Sequence, residues 1–578
     1  MFYSLLSKLV RPKRDFDRLE ASAIELFDAG RFAEAEACFR EAVRARPASA
    51  GSWANLAVSL IRQDKLQAAR YVLEQVIELS PGESGPRIEL ANVLWRSGEV
   101  SAAIAAYRWA LDNDPQDPKA FANLFKPMMD ICDWTGVALH FANWMRLVHS
   151  APETVWAERM LPYVAVMLPM PSELRKAVAM YHSNKIRDTS RRMAQVRRAP
   201  HAGGKLRIGY VSADFGNHPT AHLTAEMYGL HDRESFEIYG YALAADDGSE
   251  YRRRIQNGCD HFVELLDTRS ATMNAQRIAD DGIDILVDLM GHTRGARLAL
   301  FALRPAPVQT LHCAGYPGTT GADFVDYAIA DRSVLPIGCE REFSEQPVFL
   351  PHTYLATDCK QPVWQGAMSR AELGLSETGF VFCCFNQPYK IDAPIFHSWA
   401  RILSALPDSQ IWLFAGNDDA RANLTRVFEG SGISSHRLVF AAKLPKAQHL
   451  ARLRLADLFL DTYTYNAHTT TVDALWAGLP VLTCTGGSFA SRVATSLLRA
   501  IDMPELVTAS LAEYEQCALS LARDNAGLEA IKNKLVANRA RCPLFDTAGY
   551  VRSLESAYQT MWAIHASGQP PRTFEISD

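Results

Sequence analysis

ANLAVSLIRQDKLQAARYVLEQVIELSP, residues 54–81, is the middle copy of a pattern that returns every 34 residues. Ala57 has counterparts in Ala23 and Ala91, Ala69 in Ala35 and Ala103, and Leu73 in Phe39 and Tyr107. Leu60 matches Leu26 and Leu94, Asp64 matches Gly30 and Gly98, and Pro81 matches Pro47 and Pro115. Six columns in one register are not a coincidence of composition. Small residues let two helices approach, large ones fill the gap between them, and proline stops the second helix. Residues 16–117 are therefore expected to form three helical hairpins, preceded by a short extension over residues 1–15.

A 34-residue period with small, large and proline columns is the tetratricopeptide signature, and about three copies make a stable stack. Such units grip protein or peptide. Downstream, residues 118–204 stay helical but lose the period, and Arg191 to Gly204 reads as a basic linker. At Lys205 the grammar changes. LRIGYVSADF (206–215), FEIYGYAL (236–243), IDILVDL (283–289) and DYAIAD (326–331) are β-branched runs separated by helical stretches. A second series follows: GFVFCCFN (379–386), IWLFAG (411–416), RLVFAA (437–442), LFLDTY (458–463) and PVLTC (480–484). Strands alternating with helices mean parallel sheets. The expected architecture is an all-helical superhelix followed by two doubly wound α/β domains, residues 205–375 and 376–578, facing a cleft. The tail over 547–566 reads as helix and the last dozen residues as disordered.

Bulk properties narrow the function. A net charge of −5 over 578 residues gives no reason to expect a nucleic-acid or membrane surface. Eleven cysteines without a CxxC pair argue against a disulfide framework or zinc site and fit a reducing cytoplasm. Met1 to Arg14 is apolar and basic but has no long apolar core, so it reads as an amphipathic helix rather than a signal peptide. There is no GxGxxG fingerprint, Walker loop or GxSxG elbow, and no DxD pair within 205–578.

Polar residues gather at strand ends, where ligands sit in such sheets. His218, in Asp214-Phe-Gly-Asn-His218-Pro-Thr, is a candidate base near neutral pH; the plainer reading is a helix-capping residue. Lys390, in Asn386-Gln387-Pro-Tyr-Lys390, can neutralise a diphosphate, or be a surface lysine. His468, Thr469 and Thr470 open a helix and offer an anion site, or an ordinary cap; Asp473 lies one turn on and can reach a ribose hydroxyl. Lys446, His449 and Arg452 share one helix face, where a planar histidine can stack on a base; the plainer reading is a solvated basic face. The loops around His292 and Gly318 are glycine-rich turns of weak diagnostic value.

Together these motifs closely resemble the O-GlcNAc transferases. They are DFGNHPTAHL (214–223), LFALRPAPVQ (300–309), GYPGTTGADFVDY (315–327), FNQPYKID (385–392), NAHTTTVDALWAG (466–478) and ASRVA (490–494). The resemblance implies a two-Rossmann, B-type, inverting glycosyltransferase. It would move GlcNAc from UDP-GlcNAc to Ser or Thr of proteins, with no metal and no other cofactor. It also implies roles: His218 as base, Lys390 on the leaving diphosphate, Gln387 and His449 on uridine with Lys446 and Arg452 beside them. His468, Thr469 and Thr470 would take the phosphates, Asp473 the ribose, and Gly318 the sugar side, with Tyr465 and His292 as further sugar-pocket residues. The chain departs from the animal members at Tyr465, where they carry cysteine near the acetamide, and at Ala467, where they carry glycine. Tyr465 favours a different sugar or turns away. Two other readings stay open: a peptide-binding scaffold with an inactive nucleotide-binding half, and a protein O-glycosyltransferase using another donor such as GDP-fucose.

Overall fold

The computed structural model describes residues 13–198, 203–266 and 271–577. Residues 1–12, on which most of the expected amphipathic N-terminal helix falls, lie outside the described residues. The chain divides into two compact units, with the boundary between Ser150 and Ala151.

The first unit is a run of helical hairpins. The pairs are Lys13–Asp28 with Phe32–Ala45, Ala50–Arg62 with Leu66–Leu79, and Ser84–Arg96 with Val100–Asn113. The alanine columns are sealed: Ala23, Ala57, Ala91, Ala35, Ala69 and Ala103 are all 0% exposed. Phe39, Leu73 and Tyr107 are buried beside them. The column Gly30, Asp64, Gly98 makes the turn inside each hairpin, with φ of 66°, 59° and 86°. The left-handed region suits glycine and is tolerated by Asp.

A fourth hairpin, Pro118–Asp130 with Trp134–Ser150, follows in the same unit. Its turn residue, Cys132, keeps the 34-residue step from Gly98 and the left-handed backbone, with φ 55°. The sequence pattern hides it because Phe125 stands in the alanine column and His149 in the proline column. The geometry of the repeat outlasts its residue identities.

The second unit holds two sheets, all of whose pairings are parallel. Strands β1 (Leu206–Ser212), β2 (Phe236–Ala242), β3 (His261–Glu264), β4 (Ile285–Asp288), β5 (Val308–His312), β6 (Tyr327–Asp331) and β7 (Gln346–Leu350) build the first. Strands β8 (Val381–Cys384), β9 (Gln410–Phe414), β10 (Leu438–Ala441), β11 (Leu458–Leu460), β12 (Val481–Cys484) and β13 (Val507–Thr508) build the second. The spatial orders are β3-β2-β1-β4-β5-β6-β7 and β10-β9-β8-β11-β12-β13. Six strands in each thus follow the doubly wound order, third-second-first-fourth-fifth-sixth. The switch points fall between β1 and β4 and between β8 and β11, where ligand crevices form. Strands β4, β5, β6, β8 and β12 are buried along their whole length, as parallel strands covered on both faces must be.

Helix Ser172–Ser190 docks on the first sheet's loops. Ser183 Oγ donates to the Thr320 carbonyl at 2.6 Å. Gly321, at φ 68°, lets the backbones meet: a Cβ there would sit 2.3 Å from the Met180 nitrogen.

The C-terminal segment departs from its expected place. Helix Thr547–Ala566 lies on the first sheet although it follows the second in the chain. Glu555 accepts from His231 Nδ1 at 3.0 Å and from the Asp232 amide at 2.7 Å. Tyr558 donates to the Tyr210 hydroxyl at 3.2 Å, and Tyr210 pairs with His231 Nε2 at 2.8 Å. The last dozen residues, expected to be disordered, contribute β14 (Phe574–Glu575), which pairs in parallel with β7 and so caps the first sheet's edge. A two-residue strand carries too little hydrophobic pattern to be seen in sequence.

Candidate active site

The loops after β1, β8 and β11 converge on one cleft of about 220 Å³. It is lined by His218, Pro219 and Thr220, by Phe385, Asn386, Gln387, Tyr389 and Lys390, and by Tyr465, His468, Thr469 and Thr470, with Tyr163, Ala314 and Gly315 closing it. Motifs more than 240 residues apart in the chain therefore share one wall.

Lys390 ends a short 3-10 turn, Pro388–Lys390, directly after β8. Its Nζ donates to the Asn466 carbonyl at 2.9 Å and stands 4.2 Å from the centre of the Tyr465 ring. Burial pulls the ammonium down to about 7, against the pull of nearby Asp461. Asp461, just past β11, is itself raised by burial to about 7. That carboxylate accepts from the Ala467 amide at 2.6 Å, the Thr462 amide at 2.8 Å and Thr483 Oγ1 at 2.7 Å. It thus pins the loop that delivers Asn466 to Lys390.

Helix Thr469–Ala477 begins at that loop with His468 in the cap position, and no side chain caps it. The amides of Thr471 and Val472 bond to the His468 carbonyl, and those of Thr469 and Thr470 open the helix at the cleft wall, where amides of a helix start can meet an anion. Thr470 Oγ1 donates to Asn386 Oδ1, and Asn386 Nδ2 donates to Thr462 Oγ1 at 2.8 Å, which ties this helix to the loop after β8. Tyr465 is 5% exposed and stacks on His468, ring centres 4.9 Å apart and planes 17° from parallel. The tyrosine has not turned away: it forms part of the cleft wall.

Lys446, His449, Arg452 and Asp473 form a second cluster on helices Lys446–Leu453 and Thr469–Ala477, which pack together. Lys446 Nζ donates to Asp473 Oδ1 at 2.5 Å. Arg452 Nε donates to His449 Nδ1 at 3.0 Å, so the ring proton of His449 sits on Nε2, 3.8 Å from Asp473 Oδ2. Burial, then Arg452 and Lys446, holds this imidazole well below its usual range, and so neutral. A neutral ring in fixed orientation can stack on a base.

His218 caps helix Pro219–Thr224, its Nδ1 accepting from the Thr220 amide, and it also lines the cleft. Its Nδ1 is 3.2 Å from Asp214 Oδ2. Six expected residues do not line this cleft: Lys446, His449, Arg452 and Asp473 form the second cluster, and His292 and Gly318 lie elsewhere. His292 is enclosed, with Nε2 2.7 Å from the Thr320 carbonyl, and burial pulls it down to about 4. Gly318 lines a separate small pocket with Tyr316, Arg175 and Phe489.

Asp214 and Asp461 were missed as site residues although both sit in the quoted strand-end motifs; a carboxylate at the end of a central strand was the available signal. Tyr163, whose hydroxyl is 3.3 Å from that of Tyr389, comes from a helical stretch with no motif at all. Among the described residues no three His, Cys, Asp or Glu side chains converge as a metal site. No helix among them is long and apolar enough to cross a membrane.

Comparison with known proteins bears on the family and the fold. The model of glycosyl transferase family 41 matches residues 131–365 and 360–554, and tetratricopeptide models match 21–84 and 60–124. A probable UDP-N-acetylglucosamine–peptide N-acetylglucosaminyltransferase of Arabidopsis thaliana is 41% identical over 378 residues, 64% of this chain and 38% of that protein. The Caenorhabditis elegans UDP-N-acetylglucosamine–peptide N-acetylglucosaminyltransferase is 30% identical over 560 residues, 76% of this chain and 48% of that protein. The chain thus spans less than half the length of these curated relatives. A solved structure of a Thermobaculum terrenum O-GlcNAc transferase mutant superposes with a TM-score of 0.69 at 27% identity, covering 96% of this chain and 100% of that one. With a parallel-sheet cleft in place and the family model spanning most of the sequence, the chain belongs to glycosyl transferase family 41.

Proposed function

We propose that this chain is an inverting glycosyltransferase that moves GlcNAc from UDP-GlcNAc to Ser or Thr hydroxyls of proteins. The observation that carries the reading is the convergence of Lys390, the uncapped helix start at His468–Thr470 and the half-exposed His218 on one cleft. The diphosphate sits at the helix start and on Lys390, whose charge develops a partner as the leaving group departs. This pair takes the role that a metal fills elsewhere, and no metal is assigned. Uracil stacks on His449, with Gln387, Lys446 and Arg452 around it, and Asp473 takes the ribose. His292 and Gly318 act from behind, shaping the loop that carries Tyr316. His218 receives the acceptor proton. The repeats hold the acceptor protein. A cytoplasmic location fits this role, and no nucleic-acid or membrane partner is assigned.

Calorimetric titration with UDP, UDP-GlcNAc and GDP in EDTA tests the reading. Micromolar binding of UDP and UDP-GlcNAc, followed by mass-spectrometric detection of a HexNAc on a Ser/Thr peptide pool, is expected. Absence of all nucleotide binding would return the protein to the scaffold reading. GDP bound in preference to UDP would favour another donor. Tyr465 supports a sharper comparison, because its ring stays in the cleft wall: if UDP-glucose outperforms UDP-GlcNAc, the donor lacks the acetamide.

A further inference from the structure

The turn after β1 carries a second ionisable residue that the proposed reaction does not yet use. Asp214 is tucked under His218, with its side chain 14% exposed against 49% for the imidazole. Its backbone is fixed by a bond from the Asp214 amide to Ser212 Oγ at 2.9 Å. Its Oδ2 accepts from Thr220 Oγ1 at 3.3 Å and lies 3.2 Å from His218 Nδ1. The Thr220 amide donates to that same Nδ1 at 3.3 Å.

One nitrogen thus faces two partners with opposite demands. If Nδ1 carries no proton it accepts from the Thr220 amide, and the ring proton sits on Nε2. That tautomer has no lone pair to offer the cleft. If Nδ1 carries the proton it donates to Asp214, and Nε2 is a base. The carboxylate therefore decides whether His218 can act. Thr220 serves both ends, with its hydroxyl on Asp214 and its amide on the ring.

We propose that Asp214 and His218 form a dyad in which the buried carboxylate selects the Nδ1–H tautomer and then holds the imidazolium. Asp214 is a positioning residue: it touches His218, not the substrate. The proposal rests on the role of His218 as base given above. In the step, the acceptor oxygen forms a bond to the sugar C1 while its proton passes to His218 Nε2. The bond from C1 to the diphosphate oxygen breaks, and its electron pair leaves with UDP. The ring then carries protons on both nitrogens, with Nδ1–H on Asp214, and returns one to water. Burial pushes the Asp214 carboxyl up, opposed by His218 and Thr220.

The test uses the full chain. Asp214→Asn keeps the shape and removes the charge. Turnover of UDP-GlcNAc with a Ser/Thr peptide pool should fall by about tenfold or more, a part of what a general base supplies. The donor KM and the UDP dissociation constant should stay within about twofold. Asp214→Glu should recover part of the turnover. An inactive His218→Ala beside an Asp214→Asn of parental turnover would overturn the dyad alone, whereas a fully active His218→Ala would overturn the base itself. A readout independent of turnover and of variant folding is the ¹⁵N spectrum of histidine-labelled parent protein. The His218 signal should be that of an Nδ1–H ring; an Nε2–H ring refutes the dyad.

Discussion

Lys390 Nζ donates to the Asn466 carbonyl at 2.9 Å, joining the loop after β8 to the loop after β11 across the switch point of the second sheet. The same ammonium stands over the Tyr465 ring and is partly buried. Lys390→Ala should lower turnover by about 10²–10³, the scale of losing one preorganised partner of a developing charge. UDP should still bind, more weakly. Turnover at the parental rate would remove the lysine from the mechanism.

Burial places Lys390 at about 7, so the free protein loses this charge as pH rises through neutrality. A diphosphate favours the charged form. Above about pH 7, UDP binding should therefore take up close to one proton and weaken as pH rises; well below it, uptake should vanish. Phosphate groups titrate near 6 and do not contribute in the upper range. Calorimetry in two buffers of different ionisation heat measures the uptake. Lys390→Ala should abolish it, and persistence of the uptake in that variant would assign it elsewhere.

His449 is held by Arg452 on one side and meets Phe385 edge-on with ring centres 5.2 Å apart. Its orientation is set before any ligand arrives. His449→Ala should weaken UDP binding by about 1–3 kcal/mol, the worth of a base on an aromatic ring. Titration that finds UDP bound as tightly as by the parent would remove the stacking role.

Glu555 is remote from the cleft and gives a stability control. Glu555→Ala strips acceptors from buried His231 and from the Asp232 amide, and should cost about 1–3 kcal/mol. Denaturant unfolding would show the loss, with the UDP dissociation constant unchanged. A shifted UDP affinity would mean that the C-terminal helix communicates with the cleft.

Much of this arrangement is legible in the chain because it rests on local signals. The hairpins announce themselves through Ala57 and its equivalents, since only small residues fit where helices touch. Strands β1, β2, β4, β6 and β8–β12 are apolar runs. Strand β5 is not: Gln309 and His312 are buried in it, where Gln309 Nε2 donates to the Phe301 carbonyl and His312 pairs with Tyr550, partners that only tertiary structure supplies. The cleft residues at helix starts were visible through their motifs. His292 was drawn in by a glycine-rich loop, and its enclosure depends on the Thr320 carbonyl, which sequence spacing does not reveal. Asp461 was marked only by its place at the end of a central strand; its partners, the Ala467 and Thr462 amides and Thr483 Oγ1, are brought to it by the folded loop.

The return of the chain to its first sheet has a consequence for synthesis. Strand β14 and helix Thr547–Ala566 are translated after the whole second sheet, yet they supply the edge and a cover of the first. Until they emerge from the ribosome, β7 offers a bare edge and the Tyr210–His231 surface has no lid, an invitation to misassembly. In translation order the second Rossmann half is an insertion within the first. A gene cut near residue 375 would therefore yield two fragments, one missing its rim and one carrying a helix with no seat.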